Sequence, residues 1–294
     1  QLSSNNWCDV DRALQTITHI AAGYNLNFGQ VPYIAVGIKH GNACGAAVSN
    51  DPLEAIKRMI GGDPRAIFGG TVITNFPIDA KHATFLRELR VEKTKRILDL
   101  VMAPEFSGSG CEILRRKEGR CRMLANPELG NLTVKSLDST PRIRQVRGGF
   151  LRQGNYTYVL DLDSHSMVKF GKADEESLLL GWAVGCTSNS NTITLTRDRM
   201  LIGNGTGQMD RVGAAELAIK KAVTAGHETA GCVAYSDSFF PFRDGPDVLA
   251  DAGVAAILST SGSERDEEVR TACKERKVAL YMIPDSIARG FYAH

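Results

Sequence analysis

Several features that would assign this chain quickly are missing. No uninterrupted apolar stretch approaches the roughly 20 residues that cross a bilayer, and the first residues, QLSSNNWCDVDR, have neither the basic start nor the apolar run of a signal peptide. The seven cysteines (Cys8, Cys44, Cys111, Cys121, Cys186, Cys232 and Cys273) are odd in number and widely spaced, with no C-x-x-C pair and no His cluster beside any of them. That pattern points to a reducing compartment and away from a disulfide framework or a zinc site. An excess of one charge is also missing: 35 Lys+Arg against 33 Asp+Glu give a net charge of +2, so a nucleic-acid partner is not expected. There is no Walker A loop, no nucleophile elbow, no H-x-E with P-C-x-x-C zinc signature and no convincing dinucleotide fingerprint. The expectation is a soluble cytoplasmic protein with no metal and no membrane partner. The chain does not start with Met, as expected if it begins inside a longer protein.

What is present suits a globular enzyme of two mid-sized domains: 43% hydrophobic residues, 23% charged residues and 29 glycines in short runs that end strands. Val10, Leu14, Ile17 and Ala21 are spaced as one helix face, with Asp9 or Asp11 at its acidic start. Ile34–Ile38 is a strand ending at Lys39-His40-Gly41-Asn42, and Gly45-Ala46-Ala47 reads as a packed turn leading into a helix after Asp51-Pro52. Ala66–Ile73 reads as a strand with a glycine break, Ala83–Arg90 as a helix and Leu98–Ala103 as a buried strand closed by Pro104. The pattern weakens between Cys111 and Thr140 and then restarts: a Leu-rich helix over Ser177–Val184, a strand over Thr192–Leu195 returning through Asp198, a helix from Asp210 to about Ala225, and further strands at Cys232–Tyr235 and Ala255–Leu258. Alternating strands and helices in both halves predict α/β layers over a largely parallel, buried sheet, with ligands at the polar strand ends.

Four clusters sit at such places. Lys39-His40 offers a base beside an ammonium, which favours the neutral, proton-accepting imidazole; a pair that merely caps a strand is the alternative. Gly203-Asn204-Gly205-Thr206-Gly207 is either an anion cradle at a helix start or a flexible connection. Arg211 opens that helix, where the dipole disfavours a cation, so a paired or anion-binding Arg is expected. Ser236–Asp244 packs Phe239, Phe240 and Phe242 around Pro241; one ring lines a pocket for a flat heterocycle or all are core, and Asp244 binds a ring N–H or caps a helix.

Taken in order, these residues resemble the formyltransferase portion of the AICAR transformylase/IMP cyclohydrolase family over nearly the whole chain. Lys39–Ala47 is similar to the family's K-H-x-N-P-x-G-A-A, Ser190-Asn191-Thr192 to its S-N turn, Gly203–Arg211 to G-x-G-x-G-Q-x-x-R, Ser236–Phe242 to S-D-A-F-F-P-F, and Ser261-Gly262-Ser263 to S-G-S. Ala43 replaces the pattern's Pro and Asp210 its Ser.

The resemblance implies two cytidine-deaminase-like α/β/α units without catalytic zinc, divided here as 1–145 and 146–294, working as a homodimer with shared sites. It implies transfer of a formyl group from 10-formyltetrahydrofolate to AICAR, giving FAICAR, with ring closure to IMP not expected of these residues. By that analogy His40 accepts the proton, Lys39 stabilises the transition state and Asn191 holds the formyl carbonyl. Gly69, Asp99, Arg211, Phe239, Asp244 and Arg289 bind AICAR, Arg289 lying near a C-terminal R-x-F-x-H pattern; Val212, Phe242, Ser263 and Glu264 serve the folate. A non-catalytic homologue that binds a purine-pathway nucleotide is the second reading.

Overall fold

In the computed structural model, which describes residues 2–89, 95–116, 119–163 and 172–290, the chain builds the same sequence of elements twice. Arg90 of the expected third helix and 291–294 of the C-terminal pattern lie outside the described residues.

The first pass runs α1 (Ser4–Phe28), β1 (Tyr33–Lys39), β2 (Asn42–Ser49), α2 (Pro52–Gly62), β3 (Gly69–Thr74), α3 (Ala80–Glu88), β4 (Ile97–Ala103), α4 (Gly108–Leu114) and β5 (Arg122–Ala125). An exposed hairpin, β6 (Arg142–Val146) and β7 (Gly149–Gln153), follows; it joins neither half of the main sheet, and the expected division after residue 145 falls within it. The second pass runs α5 (Lys172–Gly185), β8 (Ile193–Arg197), β9 (Met200–Gly205), α6 (Arg211–Thr224), β10 (Val233–Ser236), α7 (Asp244–Asp251), β11 (Ala256–Ser261), α8 (Asp266–Glu275), β12 (Ala279–Pro284) and α9 (Asp285–Ala288).

Strand order across the ten-stranded sheet is β12-β11-β10-β8-β9-β2-β1-β3-β4-β5. Each half has an antiparallel hairpin innermost, a third strand antiparallel to the hairpin's first, and two outer strands in parallel. The expected parallel pairing therefore occupies the outer strands, where helical crossovers link them; the tight turns at His40-Gly41 and Asp198-Arg199 dictate antiparallel pairing in the middle. All four turn residues are left-handed, with φ of 53° and 72° in the first turn and 49° and 63° in the second. Turns of that hand follow the twist of the strands they join.

The halves meet edge to edge where β2 runs antiparallel to β9, with Ala47 opposite Met200. The core lies in three apolar clusters. One, containing Ile17, Ile20, Leu179 and Trp182 of α1 and α5, spans both halves. The other two pack α2 and α3 under the first half-sheet, and α6, α7 and α8 under the second. Helices thus cover both faces, which makes an α/β fold. Among the described residues no helix is long and apolar enough to cross a membrane, and no group of three or more His, Cys, Asp or Glu is placed to hold a metal ion. All seven cysteines are free.

Three local expectations are corrected. Helix α1 begins before Asp9, because Ser3 and Asn6 form a capping box: Asn6 N donates to Ser3 Oγ at 3.2 Å and Ser3 N to Asn6 Oδ1 at 3.1 Å. Ala66–Phe68 is a short 3₁₀ turn rather than strand. Gly45-Ala46-Ala47 and Gly203-Asn204-Gly205 are strand, not turn or loop. Their glycines let a helix approach the sheet: a Cβ at Gly45 would collide with the carbonyl of Met59 in α2, and one at Gly203 with that of Ala218 in α6.

Two predictions follow from this packing. Gly45→Ala and Gly203→Ala each force a helix off the sheet and are expected to cost about 1–3 kcal/mol, read as a fall in Tm; an unchanged Tm would mean that the helices stand further away. His19 is fully buried in α1, stacks on Tyr156 at 5.5 Å and has Nδ1 2.8 Å from Gln15 O, and burial lowers its pKa from 6.5 to about 4. The folded state thus takes up the proton later than the unfolded chain, so stability falls as pH drops from about 6.5 to about 4, by up to about 3 kcal/mol. Urea unfolding across that window should show a shallower pH slope in His19→Phe than in the parent.

Candidate active site

The seam between the half-sheets brings two strand ends together. The turn after β1 presents His40 to solvent, while Lys39, half-buried, reaches the carbonyl of Ala66 at 3.4 Å. Gly41 N donates to Asp9 Oδ1 of α1 at 2.8 Å, which holds the turn against the helix start. Asn42 Oδ1 accepts from the backbone N–H of Asn189 at 3.3 Å, and Arg12 Nη2 donates to Asn189 Oδ1 at 2.9 Å. Lys39-His40 is thereby tied to the segment before β8 that carries Asn191. Asn191 is itself clamped to the loop after β9: its N and Nδ2 donate to Gln208 O at 3.1 and 2.9 Å, and Gln208 N donates back to Asn191 O at 3.3 Å. Only one of the two Nδ2 hydrogens is used in that contact, so the other can reach a ligand oxygen.

Behind this edge lies a buried ion pair that the sequence reading did not single out. Asp237 is fully buried; its Oδ1 accepts from Arg211 Nη1 and from Thr192 N, the latter at 3.0 Å, while Oδ2 has no partner among the described residues. Arg211 is thus the paired cation that its place at a helix start demanded. Asp210 turns its charge to the helix end, accepting from Gly213 N at 2.7 Å as the cap of α6. Asp237 O also accepts from Gly290 N at 2.9 Å, which draws the C-terminal segment to the site. There Arg289 pairs with Asp285, its Nε donating at 2.6 Å. Partial burial opposes the charged form of Asp285, but hydrogen bonds from Arg289, Thr260 and Ser238 outweigh it and hold the carboxyl below its usual range.

The remaining predicted residues fall around this centre. Gly70 N donates to Asp99 Oδ2 at 3.1 Å, and Gly70 lies against Ile38 O and the stem of Lys39, so Gly69 and Asp99 border the lysine. Asp244 opens α7 and accepts from Gly245 N, with Gly245 packed between Phe240 and Arg211. Phe240 is the core ring and Phe239 the half-buried one. Phe242 is 46% exposed, beneath the Arg265 guanidinium at 4.7 Å. Ser263 N is bonded to Asp266, Glu264 is exposed and Val212 is half-buried. Among the described residues no hydrogen bond or ion pair joins Phe242, Asp244, Ser263 or Glu264 to Lys39 or His40; these residues form a separate rim at the ends of β10 and β11. Of the Gly203–Gly207 run, read as an anion cradle or a flexible connection, Gly203 to Gly205 are strand, and the loop before α6 is Thr206 to Asp210.

A cleft of about 860 Å³ opens beside Asn189 and Ser190, walled on its far side by Arg142, Arg144 and Leu151 of the exposed hairpin. The arrangement offers a solvent-facing imidazole and an ammonium beside it, tied through Asn42 and Asn189 to the segment that carries the Asn191 amide; the cleft of small-molecule size opens at Asn189 and Ser190 of that segment. Within this arrangement, Asp237→Asn keeps a partner for Thr192 N–H but leaves Arg211 buried without a counter-charge. Equilibrium urea unfolding should register a loss of about 3–5 kcal/mol; a loss below about 1 kcal/mol would show that Arg211 finds another anion.

Comparison with known proteins identifies the family. The AICARFT/IMPCHase bienzyme family model matches residues 1–221. The bifunctional purine biosynthesis protein PurH of Anoxybacillus flavithermus is 35% identical over 283 residues, covering 95% of this chain and 50% of the relative. The protein of the same name from Prochlorococcus marinus is 34% identical over 287 residues, covering 96% of this chain and 52% of the relative. The chain spans about half the length of these relatives. On a family match that reaches from α1 through most of α6, and on relatives aligned along almost all of its length, the chain belongs to the AICARFT/IMPCHase bienzyme family.

Proposed function

We propose that these residues carry a formyltransferase site that moves the formyl group of 10-formyltetrahydrofolate to the exocyclic amine of AICAR, giving FAICAR. The observation that carries this reading is the clamp Asn42–Asn189, which ties the Lys39-His40 turn to the segment that carries Asn191 and whose Asn189 and Ser190 line the cleft of about 860 Å³. An amine attached to an imidazole ring is a weak nucleophile, so attack on the formyl carbon needs a proton acceptor and a donor to the oxygen that gains charge. His40 takes the amine proton as the new C–N bond forms. Lys39 and the free Nδ2 hydrogen of Asn191 stabilise the tetrahedral oxyanion. The bond to the folate nitrogen then breaks, and that nitrogen leaves with the proton that His40 accepted.

Gly69, Asp99 and Arg211 bind AICAR, with Phe239 and Asp244 shaping its pocket and Arg289 reaching its phosphate. Val212, Phe242, Ser263 and Glu264 form the folate rim. The matching strand order of the two half-sheets supports a division into units 1–145 and 146–294. The exposed hairpin supports a homodimer with shared sites, since Ile143, Phe150 and Leu151 are 69%, 71% and 57% exposed and a second copy would cover them. A cytoplasmic location fits the free thiols.

Tetrahydrofolate release from 10-formyltetrahydrofolate and AICAR, followed by absorbance, tests the reading on these residues alone and on the longer protein that contains them. His40→Ala should lower kcat about 10²–10⁴-fold with unfolding unchanged. No turnover by the unmodified chain in either setting would sink the enzyme reading and leave nucleotide binding alone.

A further inference from the structure

The hairpin that carries the Lys39-His40 turn has an internal counterpart across the seam, in the β8-β9 hairpin. The bulge between Gly37 and Ile38 recurs between Leu195 and Thr196, and Gly45 and Gly203 both lie against a helical carbonyl. Ile34 N donates to Asn75 Oδ1 at 2.6 Å while Asn75 N donates to Ile34 O at 3.3 Å; Thr192 and Asp237 repeat the exchange at 3.0 and 3.2 Å. Within the two central hairpins these matches keep one displacement of sequence number, so β1-β2 and β8-β9 correspond residue by residue. On that frame Lys39 corresponds to Arg197, His40 to Asp198 and Gly41 to Arg199. Val31-Pro32-Tyr33 corresponds to Asn189-Ser190-Asn191, and Ser49-Asn50 to Gly207-Gln208. Because β2 and β9 are antiparallel neighbours, the repeat is a local twofold, and the second set gathers at the opposite end of the seam.

That second place is hollow. A cleft of about 330 Å³ is lined by Tyr33, Ser49, Asn50, Arg199 and the carboxylate-bearing Glu176, with Tyr24 and Phe28 of α1 at its wall. Its chemistry differs from that of the first in an informative way. The imidazole is replaced by Asp198, which removes the neutral base. The glycine is replaced by Arg199, whose backbone is pinned at both ends: Arg199 N donates to Ser177 Oγ at 3.0 Å, and Arg199 O accepts from Val48 N at 3.1 Å. Arg199 Nε faces Glu176 Oε2 at 3.3 Å, with 28% and 14% of the two side chains exposed, and among the described residues its Nη groups donate to nothing. A fixed guanidinium edge beside aromatic walls suits a flat ring carrying an anion.

We propose that the Tyr33–Arg199 cleft is a second, non-catalytic binding site for a small heteroaromatic ligand bearing a phosphate or carboxylate group, held by the Arg199 Nη edge with its ring against Tyr33 and Phe28. The site stands on the internal repeat and on its own lining, so it is independent of the formyl-transfer reading.

The test is photolabelling with 8-azidoadenosine 5′-monophosphate, mapped by peptide mass spectrometry. The expected result is a label within residues 24–33 that survives His40→Ala. Adenosine 5′-monophosphate should suppress the label and adenosine should not; suppression by pyridine-3-carboxylate as well would extend the ligand class from phosphates to carboxylates. Arg199→Gly, which keeps the left-handed turn and removes the guanidinium, should weaken protection by adenosine 5′-monophosphate about tenfold to a hundredfold, with thermal unfolding verifying the fold. Label confined to peptides around residues 39–42 and 206–211, absent altogether, or undiminished in Arg199→Gly would overturn the proposal.

Discussion

Pairing between the inner edges of β2 and β9 decides where everything else falls. Lys39-His40 belongs to one half-sheet, and Asn191, Gln208 and Arg211 belong to the other; only the register that sets Ala47 opposite Met200 puts the two turns within reach of Asn42 and Asn189. A one-residue slip would turn every inward side chain of a strand to the opposite face. The seam also receives side-chain support, since Asn204 Nδ2 donates to Ala43 O at 2.9 Å, and α1 and α5 press one continuous apolar layer over both halves. The small residues along β2 and β9 serve this arrangement by letting α2 and α6 sit close beneath.

The electrostatics of the site are local rather than global. Arg211 is matched by Asp237 and Arg289 by Asp285, so neither adds much to a long-range field. What they supply is direction: a guanidinium held by one carboxylate still presents N–H groups at fixed angles. Asp210, which stands where the family pattern has Ser, is occupied as a helix cap. A near-neutral composition is therefore compatible with an anion-binding site, because a few oriented donors do the work that a basic surface would do elsewhere.

Periodicity made much of the fold legible. The apolar spacing of α1, the helix after Asp210 and the return through Asp198 all appear where the pattern placed them. Short small-residue runs were the weak point. Gly45-Ala46-Ala47 and Gly203-Asn204-Gly205 have turn-like composition yet lie in the two most central strands, because glycine there serves close helix packing rather than chain reversal. Asp237 lies within the Ser236–Asp244 run, but nothing in its neighbours says that it is buried; its partners Arg211 and Thr192 come from other elements. The same holds for Asn189 and Gln208, whose roles are visible only as contacts.

By itself the sequence determined the class of architecture, the order of elements and the identities of the groups at the strand ends, because these depend on local spacing and on chemistry carried by single residues. Tertiary structure alone decided which strand ends face each other, which cations are already paired and that the two halves repeat with matched bulges. Those are consequences of one long-range strand pairing, and no local pattern in either strand encodes its partner.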